Sequence, residues 1–148
     1  MTLPKVVLFI DDDADDRAIF GEATSLIDPS VERLYTTNGL EALQLLQQLQ
    51  REGSPLPDLI FLDINMPVMN GLECLAQLKK IEALRFIPII ICSTSIYTGD
   101  QQQCKALGAD FYLVKPNTLL KMSTALQFVF SKYQDKKVQR LDQDMMVA

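Results

Sequence analysis

Acidic, hydroxyl and lysine side chains follow directly after the short apolar runs of this sequence. In chain order they are Asp11, Asp12, Asp63, Ser93, Thr94 and Lys115. If the apolar runs are parallel strands, their carboxyl ends lie at one edge of the sheet and these side chains converge there. Three carboxylates brought together repel and raise one another's pKa unless they share a cation. Oxygen ligands with positions open to water suit Mg²⁺ better than zinc or copper, so the pattern favours a magnesium site.

Each of these side chains, taken singly, has an ordinary structural explanation. Lys115 could compensate buried acids in a salt bridge, Ser93 could be a strand-end hydroxyl, and Tyr112 could be a core aromatic. For Asp15 and Asp16 we favour such an explanation, because acidic residues in a first turn complement the helix dipole. Together, however, a cation, an ammonium and a hydroxyl around a carboxylate form an electrostatic clamp for a phosphoryl group. The carboxylate can itself accept that group as an aspartyl phosphate.

The composition excludes several classes of protein. A chain of 148 residues predicts one domain, because domains typically span about 100 to 200 residues. The absence of His and Trp excludes histidine general bases, Ser-His-Asp triads and histidine-containing metal sites. A formal net charge of -5, from 14 basic and 19 acidic residues, makes nucleic acid a poor partner. The chemistry must therefore use carboxylates, hydroxyls or lysine.

Cysteine usage and hydropathy predict a cytoplasmic protein. The chain has three cysteines, Cys74, Cys92 and Cys104, and no two of them form a CxxC motif. An odd number without such a motif is typical of reduced cysteines that pack in the core. The longest apolar runs, at 6–10 and 87–92, are far shorter than the about 20 residues of a membrane span. The N-terminus also lacks the apolar segment of a signal peptide. We therefore expect no membrane partner.

Apolar runs and amphipathic segments alternate along the chain. The runs lie at 6–10, 59–62, 87–92 and 111–114, with a weaker one at 31–35. Successive apolar positions are typical of strands that are buried on both faces, and helical spacing of apolar residues follows each run. Pro29 ends the first helical segment and Pro88 opens the fourth strand. The order predicts an α/β fold, a doubly wound (βα)5 domain in which helices cover both faces of a five-stranded parallel sheet.

Two segments fit this pattern poorly. The fourth helix, at about 98–107, offers the core only Cys104, Ala106 and Leu107, so we expect it to be short and loosely held. Residues 131–148 carry an i, i+3, i+7 apolar pattern that begins at Val138. This segment could extend the last helix or form a flexible polar tail. We assign the domain to residues 1–130 and the extension or tail to residues 131–148.

Four short motifs occur in a fixed order along the chain. They are DD at 11–12, DINMPVMNG at 63–71, PIIICS at 88–93 and FYLVKP at 111–116. With these motifs the chain resembles, over residues 5 to about 130, the receiver domains of two-component response regulators, the chemotaxis-regulator-like family. The resemblance implies the flavodoxin-like strand order 2-1-3-4-5, in which the order reverses between the first and third strands.

The resemblance also implies roles for the acidic residues. Asp63 would be the phosphoacceptor. Asp11, Asp12 and Asp63 would bind Mg²⁺, and the backbone carbonyl of Asn65 would complete the protein's ligands.

The remaining site residues would bind the phosphoryl group or respond to it. Ser93 would contact a phosphoryl oxygen, Lys115 would pair with the phosphoryl charge, and Tyr112 would be the switch aromatic. Ser93 stands where Thr is commoner in that family, and Thr94 stands where a small residue is common. The larger side chain of Thr94 would narrow the path by which water reaches the phosphoryl group. The bond before Pro116 is usually cis in such proteins.

We interpret the chain as a single-domain response regulator. A sensor histidine kinase or a phosphotransfer protein would phosphorylate Asp63, and Tyr112 would then turn inward. The face formed by the fourth helix, fifth strand and fifth helix would bind an unknown protein target or a second copy of the chain. On this interpretation the protein is not an enzyme beyond its own phosphorylation and dephosphorylation.

Three alternatives from other classes remain. A small Mg²⁺-dependent phosphatase with an aspartate nucleophile would typically carry a second Asp two residues later, where this chain has Asn65. A scaffold that is never phosphorylated would not need the acidic residues together with Lys115. A flavin-binding domain would need a phosphate loop after the first strand, where this chain has DDDADD at 11–16.

Overall fold

The computed structural model describes residues 3–134 and 146–147, and a parallel sheet forms its centre. The five main strands are β1 (Val6–Ile10), β2 (Glu32–Thr36), β3 (Leu59–Asp63), β4 (Ile89–Ser93) and β5 (Phe111–Val114). The helices are α1 (Ala14–Ile27), α2 (Gly39–Glu52), α3 (Gly71–Lys80), α4 (Thr98–Ala106) and α5 (Leu119–Gln134). The predicted alternation of strands and helices is confirmed, with strand ends displaced by at most two residues.

The main strands pair in parallel in the order β2-β1-β3-β4-β5, as the resemblance implied. A two-residue strand, β6 (Met146–Val147), adds in parallel beside β5. The sequence did not predict β6, because two residues are too few to show a periodic pattern. Helix α5 ends at Gln134. The apolar pattern that begins at Val138, which could have extended this helix, falls on residues 138–145, and these lie outside the described residues.

The strands are apolar on both faces because helices cover both. In β1, Val7 and Phe9 join the core beneath α1 and α5, whereas Leu8 and Ile10 join the core beneath α2, α3 and α4. Phe9 stacks on Phe20 of α1 with ring centroids 4.2 Å apart. Each fully buried side chain of this size contributes about 1.5 to 3 kcal/mol to folding. This two-sided burial fixes the carboxyl edge of the sheet, where the polar residues lie.

Side-chain caps start α1 and α3 directly above that edge. The Asp13 carboxylate accepts hydrogen bonds from the backbone nitrogens of Asp15 and Asp16, at 2.8 and 3.1 Å. Asn70 and Glu73 form a capping box at the start of α3. These caps therefore fix the loop after β1 to the start of α1 and the loop after β3 to the start of α3.

Gly71 allows α3 to begin close to β3. A Cβ atom there would overlap the carbonyl oxygen of Asp63 and would lie 2.7 Å from Ile64 Cα. We expect Gly71→Ala to lower the free energy of unfolding by about 2 to 3 kcal/mol, because backbone atoms cannot move aside cheaply. Urea denaturation measures this loss. The matched control is Gly99→Ala in α4, where the atoms nearest to the added Cβ belong to the exposed side chain of Tyr97. Equal losses in the two variants would contradict the prediction.

Helix α4 is weakly anchored, as the sequence predicted. Cys104 is its one buried residue, Ala106 is exposed, and Leu107 just after the helix is half-buried. No side-chain hydrogen bond caps its N-terminus at Tyr97. Few buried contacts make such an element easy to displace.

The three cysteines are free and buried, which agrees with their predicted packing role. Burial raises the pKa of Cys74 to about 12 and that of Cys104 to about 11, so both thiols stay protonated. Among the residues that the structure describes, no helix has both the length and the hydropathy that crossing a membrane requires.

Candidate functional site

Three carboxylates meet at the carboxyl ends of β1 and β3. Oxygen atoms of Asp11, Asp12 and Asp63 lie within 4.8 Å of one another, as the sequence predicted. The register explains this: Ile10 pairs with Leu62, so the residues that follow lie side by side. Asp11 and Asp63 are buried and Asp12 is exposed. The cluster therefore has one side inside the protein and one side open to solvent.

Lys115 lies against this cluster. Its Nζ atom is 2.8 Å from Asp11 Oδ2, 2.9 Å from Asp16 Oδ2 and 3.6 Å from Asp63 Oδ2. The side chain is 9% exposed. Its backbone N–H donates to the carbonyl of Ser93 at 2.7 Å, which anchors the end of β5 to the end of β4. The Lys115 ammonium group thus forms ion pairs with three carboxylates.

Burial and neighbouring charges shift the pKa values of these groups. Burial raises the pKa of Asp63 to about 6, with Lys115 lowering it and Asp11 raising it further. Burial also raises the pKa of Asp11, although the hydrogen bond from Lys115 opposes this. Burial lowers the pKa of Lys115, but the carboxylates of Asp11, Asp16 and Asp63 outweigh it and the net shift is upward. Lys115 therefore stays charged over the range in which Asp63 titrates.

The raised pKa of Asp63 predicts how stability depends on pH in metal-free buffer. The folded pKa of about 6 exceeds the ordinary 3.8. Ionisation of Asp63 therefore opposes folding, with no effect below about pH 4 and the full effect above about pH 6. Asp63→Asn, which cannot ionise, should exceed the wild type in free energy of unfolding by about 1 to 3 kcal/mol above pH 6. Urea denaturation at several pH values, with a chelator present, measures the difference, and a difference independent of pH would contradict the assignment.

The predicted hydroxyl and carbonyl residues lie around the same edge. Ser93 is buried at the end of β4, one residue after Cys92, the register partner of Asp63. Thr94 and Asn65 are exposed in the loops that follow β4 and β3. The Asn65 backbone nitrogen lies 3.4 Å from Asp63 Oδ1. The structure thus places the predicted acidic, hydroxyl, carbonyl and lysine residues at the carboxyl ends of β1, β3, β4 and β5, whereas Tyr112 lies within β5.

Tyr112 occupies an inner position. Its side chain is fully buried, and its hydroxyl donates to the carbonyl oxygen of Ser95 at 2.8 Å. The sequence-based expectation is that this ring turns inward on phosphorylation, and in this structure it already lies on the inner side. The physical reason is local: the Ser95 carbonyl offers the hydroxyl a partner inside the fold, so a buried tyrosine is satisfied there.

Ser95 links three parts of the site and was not identified from the sequence. Its backbone nitrogen donates to Ser93 Oγ at 3.1 Å, its carbonyl accepts from Tyr112, and its hydroxyl donates to Asp100 of α4. No spacing rule indicates this role, because the links depend on how the loop after β4 folds back. Ser95 connects the end of β4 with β5 and α4.

Asp16 was also misjudged from the sequence. We assigned it to the helix dipole alone, whereas its carboxylate is paired with Lys115. A signal was present: Asp16, Phe20 and Ala23 follow the i, i+4, i+7 spacing, and the last two are buried. The spacing places Asp16 on the inner face of α1.

The peptide bond before Pro116 is not cis, which corrects the implication of the resemblance. Among the described residues there is no cis peptide bond. The trans preference of a bond before proline is only about 0.5 to 1 kcal/mol, so the surrounding contacts decide the isomer and a sequence motif does not.

The donor set of the acidic cluster suits a hard divalent cation. All three side chains offer carboxylate oxygens, and neither a thiolate nor an imidazole is among them. Three such oxygens within 4.8 Å of one another match the oxygen ligation that Mg²⁺ and similar ions prefer. The exposed side of the cluster leaves room for water ligands or for an oxygen atom of a substrate.

Comparison with known proteins identifies the family. The family model described as "Response regulator receiver domain" matches residues 7–127. Response regulator Rcp1 of Synechocystis sp. is 35% identical over 131 residues, which cover 86% of this chain and 88% of that protein.

Solved structures agree with this match. The Mn²⁺-bound form of Rcp1 superposes with a TM-score of 0.76 at 32% identity and covers 88% of this chain and 94% of that one. The phosphorylated cyanobacterial phytochrome response regulator RcpA superposes with a TM-score of 0.80 at 27% identity, covering 89% and 95%. This chain therefore belongs to the family of response regulator receiver domains.

Proposed function

We propose that this protein is a signalling switch that accepts a phosphoryl group on Asp63. The donor would be the phosphohistidine of a sensor histidine kinase or of a phosphotransfer protein in the cytoplasm. The observation that carries the proposal is the juxtaposition of the Asp63 carboxylate with two further carboxylates and the Lys115 ammonium. The phosphorylated state of RcpA, a structurally similar protein, supports it.

Asp11, Asp12, Asp63 and the backbone carbonyl of Asn65 would hold Mg²⁺. When bound, the cation supplies charge that offsets the negative charge of the carboxylates and of the incoming phosphoryl oxygens. The three clustered carboxylates fit this role, and the structure of Rcp1 with Mn²⁺ supports a divalent ion.

The transfer step uses a carboxylate as nucleophile. With a pKa of about 6, Asp63 is mostly ionised at neutral pH. One of its oxygens bonds to phosphorus as the nitrogen–phosphorus bond of the donor breaks, and the electron pair of that bond remains on the imidazole. The Lys115 ammonium, 3.6 Å from Asp63 Oδ2, lies close enough to neutralise a phosphoryl oxygen. The Ser93 hydroxyl would donate to another.

The same hydroxyl would connect phosphorylation to α4. Ser93 Oγ accepts from the Ser95 nitrogen, and Ser95 in turn contacts Tyr112 and Asp100. If Ser93 turns to donate to a phosphoryl oxygen, the loop that starts at Ser95 loses or changes that hydrogen bond. The weakly anchored α4 then moves relative to Tyr112, whose ring already lies on the inner side.

The energy required for such a switch is available. Changing a population ratio from 1:99 to 99:1 needs about 5.5 kcal/mol of differential binding. Hydrogen bonds to charged groups contribute about 1.5 to 3 kcal/mol each, so about two to four new contacts to a phosphoryl group suffice. Ser93 and Lys115 provide such contacts.

The binding surface would be the face formed by α4, β5 and α5. Ile96 and Tyr97, ahead of α4, and Leu120, in the first turn of α5, are exposed apolar residues that a partner could cover. The partner would be a protein target or a second copy of this chain, and not nucleic acid or membrane. An aspartate-nucleophile phosphatase would typically carry a second Asp two residues after Asp63, and Asn65 at that position disfavours phosphatase turnover.

Intact mass and hydrogen exchange on the same sample test this function. After incubation with Mg²⁺ and a small phosphodonor, we expect one base-labile phosphoryl group per chain. Exchange should change in residues 95–114 and in α5 as well as in the loops around Asp11, Asp63 and Lys115. Failure to gain the group would refute the assigned chemistry, whereas changes confined to those three loops would refute the coupling to α4.

A further inference from the structure

Lys115 has a counterion outside the acidic cluster. Asp16 Oδ2 lies 2.9 Å from Lys115 Nζ, although the two residues are 99 positions apart in the chain. The described carboxylates close enough to share a cation are Asp11, Asp12 and Asp63, and Asp16 is not among them. Lys115 is therefore shared between the cluster that would bind metal and one carboxylate that would not.

The backbone of Asp16 is held in place by the first turn of its own helix. The Asp13 side chain accepts a hydrogen bond from the Asp16 backbone nitrogen. One turn later, Phe20 is buried against Phe9. Arg17 Nη1 also donates to the carbonyl of Asp11 at 2.7 Å, which ties the first turn of α1 to the end of β1. Asp16 is thus a fixed partner for Lys115, with 23% of its side chain exposed.

Metal binding would affect the carboxylates around Lys115 unequally. A divalent cation at Asp11, Asp12 and Asp63 would neutralise the two cluster carboxylates that Lys115 contacts, and Asp16 would keep its full charge. Asp16 would then be the main counterion of Lys115 until a phosphoryl group arrives. The phosphoryl oxygens and Asp16 would compete for the same ammonium group.

We propose that Asp16 is a positioning residue that retains Lys115 in the unphosphorylated protein and so opposes its recruitment by the phosphoryl group. The inference rests on the proposed function, because it concerns how the phosphorylated state is balanced against the resting one. Asp16 would set that balance through the lysine and is not one of the carboxylates that would hold the metal.

Affinity for beryllofluoride, a phosphoryl mimic, tests the proposal. Binding is measured by fluorine NMR at saturating Mg²⁺ in the wild type and in Asp16→Asn, Asp16→Glu and Asp15→Asn. We expect Asp16→Asn to bind the mimic about three to ten times more tightly, because a partly exposed ion pair no longer holds the lysine. Asp15→Asn removes the same charge one residue away, where no contact with Lys115 exists, and should match the wild type. Asp16→Glu restores the carboxylate and should return the affinity towards the wild-type value.

The outcomes distinguish a failure of the proposed function from a failure of the role assigned to Asp16. If the wild type binds no beryllofluoride, the proposed function fails and this inference fails with it. If the wild type binds it but Asp16→Asn behaves like Asp15→Asn, only the role of Asp16 is refuted. If Asp16→Glu behaves like Asp16→Asn, the effect does not come from the carboxylate, and the inference is again wrong.

Discussion

Asp63→Asn is expected to abolish formation of the acyl phosphate while the fold survives. The amide cannot act as the nucleophile, and the change is nearly isosteric and removes one charge from a cluster of like charges. Intact mass after incubation with Mg²⁺ and a small phosphodonor should show no added phosphoryl group, and circular dichroism should match the wild type.

The matched control for this variant is Asp13→Asn. Asp13 is exposed just beyond the cluster, and an asparagine can still cap α1, so that variant should be phosphorylated like the wild type. A stable, base-labile phosphate on the Asp63→Asn protein would show that another residue is the acceptor.

Mg²⁺ is expected to stabilise the folded protein, and Asp12→Ala should remove most of that effect. A ligand that binds only the folded state contributes about 2.7 kcal/mol at 100 times its dissociation constant. Asp12 is the exposed member of the cluster, so its loss should weaken metal binding and disturb the core little. Melting temperatures measured across a Mg²⁺ titration test this for both proteins.

Asp15→Ala provides the control for the metal titration. This exposed carboxylate lies three residues after Asp12, in the first turn of α1 and outside the cluster, so Asp15→Ala should retain the wild-type response to Mg²⁺. A melting temperature of the wild type that does not change over the titration would count against a metal site. An equal loss of response in both variants would indicate general charge screening in place of specific ligation.

The elements and the acidic cluster could be predicted from the sequence because both depend on local patterns. Runs such as 59–62 are apolar at every position, and strands covered on both faces bury such runs completely. The residue after each run then comes to the same edge of a parallel sheet, whatever the details of packing. Asp11, Asp63, Ser93 and Lys115 could therefore be placed together before any distance was known.

Tertiary structure alone decided the partners of these residues. Lys115 is shared with Asp16 because α1 begins beside the end of β5, and the sequence shows only that Asp16 is in a first helical turn. Tyr112 lies inside because the loop after β4 presents the carbonyl of Ser95 to it. The isomer before Pro116 and the pairing of β6 with β5 were likewise not predictable. Each of these depends on contacts between segments distant in sequence, whose energies of about 1 kcal/mol leave no periodic signal in the chain.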